Sequence, residues 1–317
     1  MAQPGASDVH IDKALTNMSL MFLQAPGNLT VGMQVFPVVR VDKQTDKYFT
    51  FDRNDFYRDS MQRRAPATES AGGGYTQSTD SYACDVWALH KDIPDQVRAN
   101  TDNPLNPDRN ATQYLTHQAM IRNEIQWAAD YFKTGVWGSS VTPSNLWSDY
   151  TSSDPVGDIR TGKRTVLANT GMEPNTLTLG YDVYIKLQDH PDVVDRYKYT
   201  SAQTVTPQML AALFEVDRVL VCKGVKATNV EGETAAYNFI EGKHALLTYS
   251  PPNPAIEVPS AGYTFVWTGI SQGLGEMVSV ERMRMPHLKA DRLEIEMAWD
   301  NKLTSSALGY CFVSVVA

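Results

Sequence analysis

The rhythm of apolar and polar positions changes several times along the chain. Residues 1–30 carry only short apolar clusters, Leu15 and Leu20 to Leu23, between polar turns. They read as an extended arm, with a disordered terminus as the alternative for residues 1–10. From 31 to 57, VGMQVFPVVRV and DKYFTFDRNDFY are rich in β-branched and aromatic residues between turn formers, which predicts strands. Residues 58–80, RDSMQRRAPATESAGGGYTQSTD, have almost no large aliphatic side chains and contain Pro66 and Gly72 to Gly74. Strand character returns in YACDVWALHKDIP. Strand, long polar excursion and returning strand predict a protruding hairpin over residues 46–85. A lone hairpin is marginal in water, so this one needs a neighbour to lie on.

The clearest helical pattern follows. Pro104, Pro107 and Asn110 mark its start and Gly135 its end. Between them Tyr114, Gln118, Ile121, Ile125, Ala128 and Phe132 recur at helical spacing, which predicts a helix over 110–134 with one polar break in its stripe. At about 1.5 Å per residue the rod is about 36 Å long. Residues 138–176, rich in Ser, Thr, Asp, Gly and Pro, read as loop. LTLGYDVYIKLQDHPDVVDRYKY reads as helical with a break at Pro191. TPQMLAALFEV reads as a helix capped by Thr206 with Pro207 in its first turn. Strands are expected in VDRVLVCKGVKAT, at Ala245 to Tyr249, Tyr263 to Thr268 and Met277 to Arg284, and in DRLEIEMAW and GYCFVSVV. Strands and helices do not alternate regularly, and no internal repeat is visible. The fold class is therefore α+β.

Charge narrows the function. With 28 Lys and Arg against 36 Asp and Glu the net charge is −8. A protein gripping DNA over its whole surface is usually basic, so this one is at most an encloser of nucleic acid. Three scattered cysteines, Cys84, Cys222 and Cys311, suit neither a disulfide framework nor a zinc site and read as small buried apolar residues. No signal peptide is evident, no window approaches the length of a membrane span, and no membrane association is expected.

No catalytic motif stands out: there is no GxSxG, P-loop, HExxH or GxGxxG between strand and helix. Gly72 to Gly74 lead into no helix and read as a flexible loop tip. His190, flanked by Asp189 and Asp192, is explained by a helix-breaking turn more simply than by a metal. Glu294 and Glu296 share one strand face, as a solvated face would require. No catalytic, cofactor or metal residue is assigned, and no cofactor is expected. Arg58, Arg63, Arg64, Glu69 and Tyr75 of the polar hairpin are the candidates for contacts between subunits.

The hairpin region YFTFDRNDFYRD, RRAPATES and DSYACDVWALHKDIPDQVRAN resembles the extended loop of tailed-bacteriophage major capsid proteins with the Hong Kong 97-type fold. The blocks TLTLGYDVYIKLQDHPDVVDRYKYT, VTPQMLAALFEVDRVLVCKGVKAT, HALLTYSPP, AGYTFVW and RLEIEMAWDNKLTSSALGYCFVSVVA follow in that family's order. The resemblance covers residues 35–317. It implies an N-terminal arm and first strand (1–45), an extended loop (46–85), a peripheral domain (86–160 and 276–317) with the spine helix 110–134, and an axial domain (161–275).

The function implied is self-assembly into pentamers and hexamers of an icosahedral shell around packaged double-stranded DNA, through a procapsid that expands. Expected partners are copies of the chain itself, a portal protein, a separate scaffolding protein, a decoration protein in some shells, and DNA by weak non-specific contact. A separate scaffold is expected because only about 40 residues precede the first strand of the series. No Lys, Asn and Glu set for an isopeptide crosslink can be placed. The protein is expected in the virion after assembly in the host cytoplasm. An encapsulin-type nanocompartment shell, or a soluble enzyme with an unrecognised site, are the alternatives.

Overall fold

The computed structural model describes residues 23–101, 106–197, 205–253, 258–271 and 278–317. The arm expected before residue 23 lies outside the described residues. The elements in chain order are α1 (Val31–Val35), β1 (Val38–Val41), β2 (Thr45–Phe51), α2 (Arg53–Tyr57), β3 (Gln77–Ala83), β4 (Asp85–Pro94), α3 (Asp95–Ala99), α4 (Pro107–Tyr131) and β5 (Ser139–Val141). They continue with α5 (Pro155–Thr170), β6 (Thr176–Gly180), α6 (Tyr181–Gln188), α7 (Pro191–Tyr197), α8 (Pro207–Phe214), β7 (Arg218–Cys222), β8 (Val225–Ala227) and β9 (Tyr237–Phe239). The chain closes with β10 (Ala245–Thr248), β11 (Gly262–Trp267), β12 (Val278–Met285), β13 (Ala290–Leu303) and β14 (Gly309–Phe312). This is an α+β fold.

Two five-stranded sheets carry it. In the first, β13 pairs antiparallel with β4, β11 and β12, and β1 runs parallel to β11. The second has the order β5-β14-β10-β6-β7. Each sheet therefore draws strands from distant parts of the chain: β11 joins the first, and β14 at the C-terminus joins the second. Both faces of the second sheet are buried, and the period of two assigns its residues. Ala245, Leu247 and Phe312 point into a core with Ile159 of α5, Val183 and Leu187 of α6 and Leu210 of α8. Leu246, Cys222 and Cys311 point the other way, to Phe36, Trp127 and Tyr131.

Helix α4 joins the two sheets. Asn106 caps it, its Oδ1 accepting from Arg109 N at 3.1 Å, and Pro107 occupies the first turn. It starts three residues before the expected Asn110 and spans 25 residues, about 37 Å. Its N-terminal half lays Ala111 and Leu115 on Ile93, Leu293 and Ile295 of the first sheet. Its C-terminal half lays Trp127, Ala128 and Tyr131 on the core beside the second. The predicted stripe is half right. Ala128 and Phe132 are buried and Ile121 and Ile125 pack beside them, but Tyr114 faces solvent. The buried face instead includes Asn123 and Glu124.

Four further expectations need correction. Residues 31–35 form the short helix α1 rather than a strand, because Glu124 accepts from the Gly32 amide and Gly32 lies against the Trp127 ring, where a Cβ would come within 2.6 Å. Residues 53–57 turn once as helix α2 because the Asp52 carboxylate caps the Asn54 amide at 2.9 Å. The segment 138–176 is not loop throughout: Ser139–Val141 is a strand and Pro155–Thr170 a helix capped by Asp154. TLTLG is a wholly buried strand, not the first turn of a helix. The kink at Pro191 and the Thr206 cap stand as expected. His190 is buried, its Nδ1 accepting from Asp192 N at 3.2 Å and its Nε2 2.9 Å from Ser153 Oγ, as part of that turn.

Candidate assembly surface

The hairpin β2–β3 runs antiparallel from Thr45↔Ala83 to Phe51↔Gln77. Its side chains pair across the strands through polar groups. Tyr48 Oη donates to Asp80 Oδ2 at 2.9 Å, and the Thr50 and Ser78 hydroxyls lie 2.6 Å apart. A hydroxyl-lined ribbon resists collapse onto its own subunit. Beyond β2, α2 turns the chain, and Asp55 accepts from the Thr76 amide at 2.7 Å. That bond closes the neck of a long loop. Every residue from Phe56 through Ser81 is exposed.

Apolar groups sit on this exposed element. Phe51, Phe56 and Tyr75 form a triangle with centroids 6.1, 5.8 and 5.8 Å apart, Phe56 stacked on Tyr75. Phe56 and Tyr75 are 59% and 65% exposed, and Met61 beside them 91%. A solvated loop normally dispenses with such residues, and a rimmed apolar patch marks an interaction site. Phe56, Arg58, Met61 and Tyr75 line a hollow of about 360 Å³.

The five candidates share this element but not one environment. Tyr75 belongs to the aromatic triangle and Arg58 to the rim of the hollow. Arg64 is turned inward, donating to Thr68 O at 2.5 Å. Arg63 and Glu69 are exposed and make no hydrogen bond or ion pair among the described residues. Sequence reasoning missed Phe51, Phe56 and Met61. The available signal was the run YFTFDRNDF, which crowds rings that no described residue covers.

The hairpin's base is built differently. Tyr82 and Tyr48 pack on Phe265 of the first sheet, Ala83 N donates to Asp300 Oδ2 at 3.0 Å, and Cys84 is buried with its thiol pushed up to about 12 by desolvation. All three cysteines are buried and unpaired. Tyr57 Oη donates to the Thr170 carbonyl at the end of α5. The geometry is a firm root carrying an uncovered tip. No set of three or more His, Cys, Asp or Glu residues disposed to hold a metal occurs among the described residues, and no helix there is long and apolar enough to cross a membrane.

No family model matches the chain. Over 296 residues it is 25% identical to the major capsid protein of Burkholderia phage BcepMu, covering 88% of this chain and 92% of that one. A crystal structure of a phage-related protein from Bordetella bronchiseptica superposes with a TM-score of 0.69 at 24% identity, over 96% of this chain and 97% of the other. The capsid structure of cyanophage P-SCSP1u superposes at 0.64 with 10% identity, over 98% and 95%. An encapsulin of Synechococcus elongatus matches less closely, at 0.51. In fold along nearly its whole length the chain has the Hong Kong 97-type architecture of phage capsid proteins, and in sequence it is similar to a phage major capsid protein.

Proposed function

We propose that this shell protein closes its capsid through the β2–β3 hairpin, with the Phe51–Phe56–Tyr75 tip seated on a neighbouring copy. The observation that carries this is the unbroken exposure of residues 56–81 around an aromatic cluster. Each aromatic ring offers about 150–250 Å² for burial, and a permanent interface needs about 2,000 Å² or more in total. The tip therefore supplies an anchor rather than a whole interface, and repetition over the shell supplies the remainder. Arg58, Arg63 and Glu69 of the same loop would supply charges for ion pairs with the neighbour.

The finer reading follows the family. Copies gather as pentamers and hexamers around packaged double-stranded DNA, in a procapsid that expands, with a portal, a separate scaffolding protein and, in some shells, a decoration protein. Residues 86–160 and 276–317, with α4 as spine, are read as the peripheral domain and 161–275 as the axial domain, with β11 pairing across into the first sheet and β5 and β14 into the second. The protein ends in the virion after assembly in the host cytoplasm. The acid excess keeps its contact with DNA weak.

Cryo-electron microscopy of particles formed by the full chain, and by a chain in which residues 59–74 are replaced by a short Gly-Ser link, tests the proposal. Shells from the first and soluble, folded subunits from the second are expected. Normal shells from the shortened chain would overturn the docking role, and small enzyme-filled shells from the first would favour a nanocompartment.

A further inference from the structure

The root of the N-terminal arm, residues 23–36, is held at two points by α4, and both holding groups titrate. Gln24 N donates to His117 Nε2 at 3.0 Å. Gly32 N donates to both carboxyl oxygens of Glu124, at 3.2 and 3.1 Å. His117 and Glu124 are seven residues apart, about two turns, and so stand on one side of the helix. The Gln24 side chain then closes onto β8, its Nε2 donating to Val225 O at 2.6 Å and its Oε1 accepting from Val225 N at 2.8 Å. Arm root, α4 and the β8–β9 hairpin thus meet at one place.

A second carboxyl group lies at that junction. Glu124 is fully buried and Glu241, two residues past β9, is 2% exposed. The two buried carboxyl groups are close enough to interact, and no described donor reaches either oxygen of Glu241. Two carboxylates cannot bond without a proton between them, and two like charges at that burial repel strongly. The neighbouring titratable groups are the buried Cys222 thiol of β7 and, more remotely, the Lys226 ammonium of β8. From the arm come only the Val31 and Gly32 amides. Desolvation is the main cause that pushes Glu241 up to about 10 and raises Glu124, whose amide bonds pull the other way.

We propose that one proton shared by Glu124 and Glu241 is a latch that fixes the arm root and the β8–β9 hairpin to α4, and that its loss to solvent base releases both. Once the proton leaves, Glu124 keeps its amide partners while Glu241 has none and is driven towards water. Glu241 is attached to β9, which pairs with β8 through Val225↔Phe239, so its movement strips Val225 from Gln24. The sign follows from the raised affinity. The folded form holds a proton that the unfolded chain releases near 4.5. The carboxyl latch, together with a neutral His117 able to accept from Gln24, is therefore complete around neutral pH and weakens as pH rises towards about 10. Acid protonates His117 and frees only Gln24. The latch concerns when the arm comes free, and its test does not depend on shell assembly.

The test is limited proteolysis of the full-length, unassembled chain with a protease active through the alkaline range. Cuts within 23–36 are scored against cuts in the exposed loop 58–76 of the same sample. In the natural chain the ratio is expected to rise about tenfold per pH unit on the approach to the folded pKa, as the ionised fraction does. In Glu241→Gln, whose amide donates to Glu124 with no proton to lose, the ratio is expected to stay flat. Equal pH dependence in both chains overturns the latch. Should Glu241→Gln fail to fold, infrared titration of the natural chain decides. A protonated-carboxyl band persisting well above the ordinary glutamate range supports the latch, and its absence at neutral pH overturns it.

Discussion

Tyr82 of β3 lies nearly flat on Phe265 of β11, with ring centroids 4.6 Å apart and planes 15° from parallel. Tyr48 from the partner strand flanks the same ring at 5.6 Å, and Cys84 Sγ donates to the Phe265 carbonyl at 3.5 Å. Two strands that are otherwise exposed are thereby fixed to the first sheet by one stack of rings. The direction in which the hairpin leaves the body is set at this stack and not by the solvated ribbon beyond it.

Tyr82→Ala should therefore loosen the hairpin and cost the fold about 3 kcal/mol, the lower end for deleting a buried aromatic side chain, since Tyr48 remains to cover part of the gap. Denaturant unfolding measures the loss. Proteolysis near residues 42–46 measures the loosening. A variant that melts like the natural chain would show that the stack does not set the hairpin.

At the tip the expectation is reversed. Phe56→Ser combined with Tyr75→Ser removes exposed rings, so the isolated subunit should keep its stability within about 0.5 kcal/mol. Assembly should fail or need far higher protein concentration. Light scattering of assembly reactions, with thermal melting as control, reads the two effects apart.

How much of this was legible follows locality. The hairpin could be read because its signals are local: a polar loop, three glycines and flanking β-branched strands. The existence of α4 could be read from its flanking prolines and its apolar spacing. Its burial phase could not, because Asn123 and Glu124 are polar and a periodicity argument assigns polar residues to water, whereas Glu124 is needed inside to accept the Gly32 amide. Helix α5 was hidden for a similar reason. The large aliphatic side chains of its core face are Val156, Ile159 and Val166, and Lys163 is spent inside, donating to the Phe214 and Glu215 carbonyls at 3.0 and 2.7 Å. At the surface, charge drew attention to Arg63 and Arg64 and the polar loop to Tyr75, while Phe51 and Phe56 sat in a segment whose β pattern already accounted for them.

Gly180 ends β6 where the chain turns into α6. A Cβ there would sit 1.9 Å from the carbonyl oxygen of Gly242, which is backbone and has no rotamer to yield. The same residue's amide donates to His244 O at 3.0 Å, so the strand cannot simply shift away. Gly180→Ala should cost about 3 kcal/mol or more, the upper range for overpacking, and yield mostly insoluble chain. Natural-like unfolding of this variant would contradict the close approach.

The first sheet carries its own pH dependence at the β12–β13 turn. Asp291, 6% exposed, accepts from Arg98 Nη1 at 2.6 Å, from Arg284 Nη1 at 3.0 Å and from Arg282. Arg284 also grips Asp95 with both terminal nitrogens at 2.6 Å, and Arg98 reaches Asp108 at 2.8 Å. Arg282, then Arg284 and Arg98, hold the Asp291 carboxyl well below the usual carboxylate range. A depressed pKa means stabilisation that is complete above the unfolded value near 3.8 and is lost as pH falls from there. Asp291→Asn removes that dependence and leaves three guanidinium groups facing a neutral amide. Its melting temperature should be lower than that of the natural chain at neutral pH. It should also fall less steeply between about pH 4 and pH 2, because the variant no longer has this carboxylate to protonate. Parallel melting curves across that range would show that the arginine cluster contributes nothing through Asp291.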